Sequence, residues 1–187
     1  MTGRTMVSQT EEKRLIQQAK LGDRQAFGEL VRQHRKGVIS VVYRMCGDGV
    51  LAEDAAQEAF IRAWTHLAGY KPRSTFRSWL YRIATNAAID TLRRRRETVN
   101  VDDLPLHSLQ DGPERVTERR ERGQLVQQAV LSLPDASRLA LVLREYEGLS
   151  YREIADTLDI PIGTVMSRLH YARTRLRELL APHLEDL

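Results

Sequence analysis

The stretch GLSYREIADTLDIPIGTVMSRLHYARTRL, residues 148–176, determines how the C-terminal part of this chain folds. Ser150 and Glu153 form an S-x-x-E capping box, which predicts a helix that begins at Tyr151. The tripeptide at 159–161, Asp-Ile-Pro, interrupts this helix eight residues later. The spacing therefore predicts two helices joined by a tight turn.

The second of these helices has one apolar and one polar face. The apolar positions recur at intervals of four, three and four residues, which predicts a core stripe: Val165, Leu169, Ala172 and Leu176. The opposite face carries hydroxyl groups, guanidinium groups and one aromatic ring: Thr164, Ser167, Arg168, Tyr171 and Arg175. Gly163, at the start of the helix, lets backbone N–H groups approach a phosphate. The pattern is typical of a helix-turn-helix, and the alternative is a solvated face over a packed helical hairpin.

Composition and charge narrow the class of protein. The 187 residues are 42% apolar, which is enough to form hydrophobic cores. The formal net charge of +4 favours a nucleic-acid partner. The lone cysteine, Cys46, excludes an intrachain disulfide and is expected to be a buried thiol. The N-terminus lacks the apolar segment of a signal peptide, and the longest apolar stretch, 37–42, is too short to span a bilayer. We expect a cytoplasmic protein without a cofactor.

Helical periodicity continues through the rest of the chain and predicts an all-α fold of two small domains. After a flexible segment over 1–10, four helices are expected to form one bundle, at about 11–21, 24–46, 51–67 and 75–95. An extended acidic linker is predicted over 97–122, because its first 18 residues hold five acidic residues and no Lys or Arg. A second domain, 123–187, follows, in which Pro134 is expected at the first position of a helix. The linker predicts that the relative placement of the domains is left to the binding partner.

Two surfaces of the first domain are candidate binding sites. The helix at 51–67 has acidic and amide side chains on its outer face and Phe60, Ile61 and Trp64 as packing residues, which indicates either a dock for a basic partner or a solvated face. The helix at 75–95 aligns Arg82, Asn86 and Arg93. An amide and guanidinium groups in line are suited to base edges and phosphates.

Aromatic and cationic residues lie together before and within the helix at 75–95. Tyr70 and Trp79 accompany Lys71 and Arg73, a combination that single-stranded bases need for stacking and backbone attraction. Core packing is the alternative for Trp79 and Phe76, and on the residues alone we favour it for these two rings. A metal site built from Asp54, Glu58 and their acidic neighbours is disfavoured, because no histidine lies at ligand spacing.

Three blocks of sequence, taken in order, resemble a known family. They are AEDAAQEAFIRAW (52–64), FRSWLYRIATNAAIDTLRRRR (76–96) and LPDASRLALVLREYEGLSYREIADTLDIPIGTVMSRLHYARTRLREL (133–179). Over residues 11–181 the chain is similar to the extracytoplasmic-function (ECF, group IV) sigma factors of bacterial RNA polymerase. The resemblance implies that the first domain is sigma region 2 and the second is region 4, with no region 3 between them.

The resemblance also implies roles for individual residues. Docking on the β′ clamp helices of core polymerase is implied for Asp54, Gln57 and Glu58. Binding and opening of the −10 promoter element, with a base flipped into a pocket, is implied for Tyr70, Lys71, Arg73, Trp79, Arg82, Asn86, Asp90 and Arg93. Recognition of the −35 element is implied for Gly163, Thr164, Ser167, Arg168, Tyr171 and Arg175. Region 4 would also pack on the β flap, and an anti-sigma protein is an implied partner.

Some positions differ from the family pattern, and other functions compete with it. Met166 and Tyr171 stand where relatives often carry Lys or Arg, and Tyr70 and Pro72 stand where the loop often has Phe and Gly, so the preferred bases are not implied. A dimeric operator-binding regulator would use the helix-turn-helix alone. A metal-dependent nuclease would need the carboxylates as ligands.

Overall fold

The computed structural model describes residues 3–71, 75–98 and 118–184, and every regular element within these ranges is helical. The N-terminal half contains α1 (Gly3–Lys20), α2 (Arg24–Cys46), α3 (Gly49–His66) and α4 (Phe76–Thr98). The C-terminal half contains α5 (Glu118–Leu131), α6 (Asp135–Leu141), α7 (Tyr151–Leu158) and α8 (Ile162–Leu184). The predicted all-α class is confirmed. None of the helices in the described ranges is both long and apolar enough to cross a membrane.

Side-chain caps fix the ends of the N-terminal helices. The Asp23 carboxylate accepts hydrogen bonds from the backbone N–H groups of Gln25 and Ala26, at 2.8 and 3.1 Å, and thereby starts α2 as predicted. Asp48 caps α3 in the same way, so this helix begins at Gly49 rather than at the predicted residue 51. Gly47 lies between the two helices with φ +74°, a left-handed conformation that favours glycine.

The first helix is longer than the sequence analysis predicted. It begins at Gly3, whereas a start near residue 11 was expected after a flexible N-terminus. Residues 4–10 contain neither proline nor glycine, so no residue in this stretch interrupts a helix that continues from the periodic segment. The predicted stop after α1 is confirmed, because Gly22 adopts φ +96°.

Small residues on α3 allow the N-terminal helices to pack closely. One face of α3 consists of buried alanines: Ala52, Ala55, Ala56, Ala59 and Ala63. α2 and α4 both pack against α3, and their buried apolar residues, among them Val41, Met45 and Leu80, belong to the same hydrophobic cluster as these alanines. Cys46 is buried at the end of α2, and burial raises the pKa of its thiol to about 11. This packing confirms the predicted four-helix bundle.

The helix-turn-helix forms as its sequence predicts. Ser150 Oγ accepts a hydrogen bond from the Glu153 N–H at 3.2 Å, and the Glu153 carboxylate accepts one from the Ser150 N–H at 2.8 Å, so both parts of the capping box are present. α7 ends at Leu158, and its C-cap residue Asp159 adopts the left-handed conformation. Val165 and Leu169 are buried, and Arg168 and Tyr171 lie on the other side of α8.

The segment from 134 to 148 differs in detail from the prediction. Pro134 is the N-cap of α6 rather than its first helical residue, because its ψ of 137° is extended and its carbonyl accepts from the Ser137 and Arg138 N–H groups. α6 continues as a π-helical turn over Val142–Tyr146 before Gly148 ends the segment with φ +67°.

The described helices extend into both ends of the predicted linker. α4 continues to Thr98 and α5 begins at Glu118. The remaining linker residues, 99–117, lie outside the described residues, as do residues 72–74 of the loop before α4.

The two halves are in direct contact, although the sequence predicted that their relative placement depends on a partner. α4 packs against α7, and α2 packs against α5, α6 and the π-helical turn. Buried residues of both halves, such as Val42 and Leu143, belong to one hydrophobic cluster. Pairing between residues this distant in sequence has no local periodicity, which is why the sequence pattern did not predict it.

Removing the capping box should destabilise the C-terminal half. We expect Ser150→Ala to lower the free energy of unfolding by about 1 kcal/mol, because the Glu153 N–H loses its acceptor at the helix start. Urea denaturation followed by circular dichroism measures this change. Ser167→Ala is the matched control, since Ser167 is exposed within α8. An equal loss in both variants would contradict the capping argument.

Candidate nucleic-acid and protein interfaces

The acidic face predicted on α3 is on the surface. Because the alanines of this helix face the core, Asp54 and Gln57 are exposed on its outer side. In the described part of the chain, neither side chain has an ion pair or hydrogen bond within the protein. Glu58 is half-exposed and pairs with Arg62, while Arg94 of α4 lies 3.7 Å away. The Asp54 carboxylate and the Gln57 amide, two of the three predicted docking groups, are therefore available to form hydrogen bonds or ion pairs with a partner.

Arg62 joins α3 to α4 and gives Asp90 a structural contact. Arg62 Nη1 donates to Asp90 Oδ2 at 3.0 Å, and its other terminal nitrogen donates to Glu58. These hydrogen bonds, the one to Asp90 first, raise the pKa of Arg62. The Asp90 carboxylate, predicted as part of the −10 surface, is thus directed toward α3, while Asn86 one turn earlier is exposed.

An apolar groove between α2 and α3 lies beside the acidic face. Its volume is about 470 Å³, and Phe27, Ile61 and Trp64 line it together with Gln57. The Phe27 and Trp64 rings lie 5.0 Å apart, and Ile61 is 60% exposed. The prediction that Ile61 is a packing residue of the bundle is therefore wrong. Its position four residues after Gln57, on the same helical face, was the available signal.

The aromatic residues near the start of α4 form a cluster. Tyr70 is 6% exposed, and its ring centroid lies 4.9 Å from that of Trp79 and 5.7 Å from that of Phe76. Burial raises the pKa of the Tyr70 hydroxyl, and Lys20 donates to the Tyr70 carbonyl at 3.0 Å. Tyr70 is therefore buried among Phe76 and Trp79 in this conformation. Its neighbour Lys71 is exposed, whereas Arg73 lies outside the described residues.

The polar line on α4 is exposed as the helical spacing predicts. Arg82, Asn86 and Arg93 are on the surface, and the opposite side of the helix is buried through residues such as Leu80 and Ala84. α4 therefore presents one amide and two guanidinium groups along a single face.

The polar face of α8 is also mostly exposed. Ser167, Tyr171 and Arg175 are exposed, whereas Thr164 and Arg168 are half-buried. Apart from its chain neighbours and the backbone of its own helix, no described atom lies within 4 Å of the place where a Cβ of Gly163 would stand, so the space beside the first turn of α8 is open. An open helix N-terminus with hydroxyl and guanidinium groups behind it suits a phosphate and adjacent base edges.

The structure brings part of both candidate nucleic-acid faces to one crevice. Arg82 and Asn86 of α4 lie on one wall, and Asp159 and Arg168 of the helix-turn-helix lie on the other. The crevice has a volume of about 390 Å³, and Arg82 Nη2 lies 3.2 Å from Asp159 Oδ2 across it. No sequence signal predicted this juxtaposition.

Comparison with known proteins identifies the family. The family model described as Sigma-70 region 2 matches residues 30–98, and that described as Sigma-70, region 4 matches residues 123–176. The chain is 38% identical to the RNA polymerase sigma-H factor of Pseudomonas aeruginosa, over 97% of this chain and 100% of that protein. It is also 38% identical to the ECF RNA polymerase sigma factor SigW of Bacillus subtilis, over 90% of this chain and 96% of SigW. This chain belongs to the ECF sigma factors.

Solved structures of this family share the fold. The structure of CnrH in complex with the cytosolic domain of CnrY is similar with a TM-score of 0.72 and 27% identity, covering 92% of this chain and 98% of CnrH. The sigma factor RpoE in complex with the anti-sigma factor NepR from Bartonella quintana gives a TM-score of 0.65 at 25% identity, over 83% of this chain and 96% of RpoE.

Family membership establishes the class of activity. An ECF sigma factor is a transcription initiation factor that binds core RNA polymerase and promoter DNA, and it is not an enzyme. Among the described residues, no group of three or more His, Cys, Asp or Glu side chains is arranged to hold a metal ion.

Proposed function

We propose that this sigma factor uses residues 11–96 as region 2 and residues 123–187 as region 4, with 97–122 as the linker between them. The exposed polar faces on α4 and α8 support this division, because each half then carries one DNA-reading helix. The observation that carries the proposal is the presence of both faces in one chain of this family. An operator-binding regulator would use α8 alone.

The α3 surface is the proposed dock for the β′ clamp helices of core polymerase. Asp54, Gln57 and Glu58 supply charge and hydrogen bonds for steering and register, and the groove that Ile61 lines supplies apolar area. A polar rim beside an apolar centre is the usual anatomy of a protein interface. Docking on a basic partner explains why the outer face of α3 is acidic, whereas exposure to solvent alone does not.

The α4 surface is the proposed site for the −10 element. The Asn86 amide can pair with the donor and acceptor of an adenine edge, and the cations hold the backbone: Lys71, Arg73, Arg82 and Arg93. Tyr70 and Trp79 build the wall of the site, and Asp90 fixes α4 on α3 through Arg62. Unstacking a base costs a few kcal/mol, which stacking and backbone contacts offset without ATP.

The α8 surface is the proposed site for the −35 element. The N-terminus of the helix at Gly163 and Thr164 would hold a phosphate, and Ser167, Arg168 and Tyr171 would face base edges in the major groove. Arg175, which pairs with Glu178 at 2.9 Å, lies one turn further along and would contact the backbone. The helices of this half would also rest on the β flap.

An anti-sigma protein is a proposed further partner. The similar solved proteins CnrH and RpoE are each in complex with another protein, which for RpoE is an anti-sigma factor. We also propose that the chain acts in the cytoplasm, where promoter DNA and core polymerase are found.

Run-off transcription tests the proposed function. Purified core polymerase is incubated with a genomic fragment library, with and without this chain, and the RNA starts are mapped. We expect new starts that share two spaced upstream elements, because the two reading helices are on one chain. Absence of new starts together with binding of duplex DNA by the chain alone would instead favour the operator-binding regulator.

A further inference from the structure

The first turns of α8 expose their residues in adjacent pairs. The residues at 162–163, 166–167 and 170–171 are exposed, and successive pairs are four residues apart. The residues between the pairs, 164–165 and 168–169, are half-buried or buried. Because residues four apart lie on the same side of a helix, the three pairs form one strip that points away from the core. We call the following residues the outer strip of α8: Ile162, Gly163, Met166, Ser167, His170 and Tyr171.

Part of the outer strip is apolar. Met166 is 55% exposed, and Ile162, one turn earlier, is 50% exposed. Residues at i and i+4 are neighbours on a helix surface, so these two side chains form one apolar patch. Single exposed apolar residues are ordinary on protein surfaces. Two of them at this spacing, on a helix that is otherwise polar on its outer side, indicate a contact with an apolar group of a partner.

The position of the patch limits which part of DNA it can contact. A recognition helix lies in the major groove with its N-terminal residues toward the base edges. Met166 is four residues after Ile162, the first residue of α8, and so belongs to this N-terminal part. Phosphates attract cations and hydrogen-bond donors, and an apolar side chain gains little from them. The apolar group that base pairs present in the major groove is the C5-methyl group of thymine.

The local structure allows Met166 to approach a base edge. Methionine is unbranched and has a polarisable thioether, so its side chain adapts to the place that a methyl group occupies. Gly163, one turn before Met166, has no side chain. The space where its Cβ would stand is clear of described side chains to 4 Å. The start of α8 can therefore come close to the groove beside Met166.

Ser167 places a hydrogen-bond acceptor next to Met166. Its Oγ donates to the Thr164 carbonyl at 3.0 Å. A hydroxyl group has a single hydrogen, so in this arrangement the Ser167 oxygen is left to accept from a partner. An A·T base pair presents both the adenine N6 amino donor and the thymine methyl group in the major groove. A G·C pair presents the amino donor of cytosine but no methyl group, so the two side chains together match A·T.

We propose that Met166 is a specificity-determining residue of this sigma factor, which reads the C5-methyl group of one thymine in the −35 element. The inference rests on the proposed function, because it takes α8 as the helix that reads this element. It adds an apolar contact to the polar contacts proposed for α8 and names the base that the apolar contact selects.

Replacement of thymine by uracil tests the proposal, because deoxyuridine differs from thymidine only by the absence of the C5-methyl group. The −35 element is taken from the starts that run-off transcription maps. Promoter fragments are then prepared with deoxyuridine in place of one thymidine at a time, on either strand of the element. Gel-shift competition measures the affinity of each fragment for the holoenzyme formed by core polymerase and the full chain.

We expect deoxyuridine at one position to lower the affinity of the parent holoenzyme by about fourfold, which is the value of one buried methyl group. With Met166→Ala, the thymidine and deoxyuridine fragments should bind equally at this position, because the side chain that contacts the methyl group is absent. Met166→Leu should keep the preference for thymidine, since leucine is apolar and of similar volume.

Another exposed apolar residue provides the matched control. Leu21 is 90% exposed and lies between α1 and α2, away from the proposed DNA faces. Leu21→Ala should therefore keep the full preference for thymidine. Met166→Ala should retain the fold, because Met166 is exposed and alanine is a good helix former. Circular dichroism on each full-length variant checks that the helices remain.

Several results would overturn the proposal and leave the proposed function in place. One is a mapped −35 element that contains no thymine, or in which no deoxyuridine lowers the affinity. Another is a Met166→Ala holoenzyme that still prefers thymidine as strongly as the parent, because Met166 would then support the helix or contact the polymerase instead of the base. Absence of mapped starts with the parent protein and every variant would show that the proposed function itself is wrong, and the assignment of Met166 would fail with it.

Discussion

The double substitution D54K/E58K is expected to weaken binding of this sigma factor to core RNA polymerase by roughly 10- to 100-fold, which corresponds to about 1.4–2.8 kcal/mol. The reason is electrostatic. Asp54 is exposed and has no ion pair with a described residue, so its charge is available to a basic partner surface. Lysine at this position places like charges opposite each other and slows association as well as weakening the complex.

The salt dependence of the loss in core-polymerase affinity distinguishes a lost electrostatic contact from damage to the fold. Glu58 pairs with Arg62, so its reversal also disturbs α3, whereas Asp54→Lys alone leaves that pair in place. Affinities for core polymerase are measured by competition at two salt concentrations. We expect the loss in Asp54→Lys to shrink at high salt, because exposed charges more than a Debye length apart are screened.

A charge reversal elsewhere in the N-terminal half provides the control. Glu29 is on α2, outside the lining of the α2–α3 groove, and pairs with Arg32 on the surface. Glu29→Lys should leave core binding within about twofold of the parent protein, since an isolated surface pair contributes little. If Glu29→Lys and Asp54→Lys weaken binding equally, the α3 surface is not the polymerase dock.

Local chemistry explains which parts of the fold were predictable. The Ser150–Glu153 box and the left-handed Asp159 specify the helix-turn-helix within ten residues of sequence, and Asp23 and Gly47 specify the ends of α2 in the same way. These capping signals depend on residues close in sequence, so the sequence pattern predicts them. The exposed polar faces of α4 and α8 were predictable for the same reason, because helical periodicity also relates residues only three or four positions apart.

Contacts between distant residues were not predictable from these patterns. Glu147 lies 107 residues from Ser40, and Arg138 lies 93 residues from Met45, so no spacing rule relates them. The charged Arg138 was also a poor candidate for a core position, because arginine is seldom buried without a partner. The cations that surround Tyr70 in sequence predict a ring available for base stacking, whereas its packing against Phe76 and Trp79 is tertiary.

Asn86→Ala and Arg168→Ala should each impair promoter-dependent initiation and leave core binding intact. We expect a loss of about 1–3 kcal/mol for each, or about fivefold to 150-fold in promoter affinity, which is the value of one bidentate base contact. Neither change should harm the fold, because Asn86 is exposed, Arg168 is half-buried, and alanine is a good helix former.

The two variants should differ in the step that fails. For Asn86→Ala, permanganate footprinting should show less unpaired thymine at the −10 element while the upstream duplex is still bound, since α4 acts on the opened strand. For Arg168→Ala, binding of the upstream duplex itself should fall, and the loss should be largest at one base pair when that pair is varied. Gel-shift and footprinting assays on the same promoter distinguish these outcomes.

An arginine on the other side of α8 is the matched control. Arg173 pairs with Glu145 and lies near Tyr151, so its side chain is directed toward α7 and the π-helical turn rather than toward the proposed DNA face. Arg173→Ala should therefore keep the base preference of the parent protein at every position of the −35 element. If Arg173→Ala and Arg168→Ala lower promoter affinity equally at all sequences, the effect is one of total charge, and α8 does not read the −35 element through Arg168.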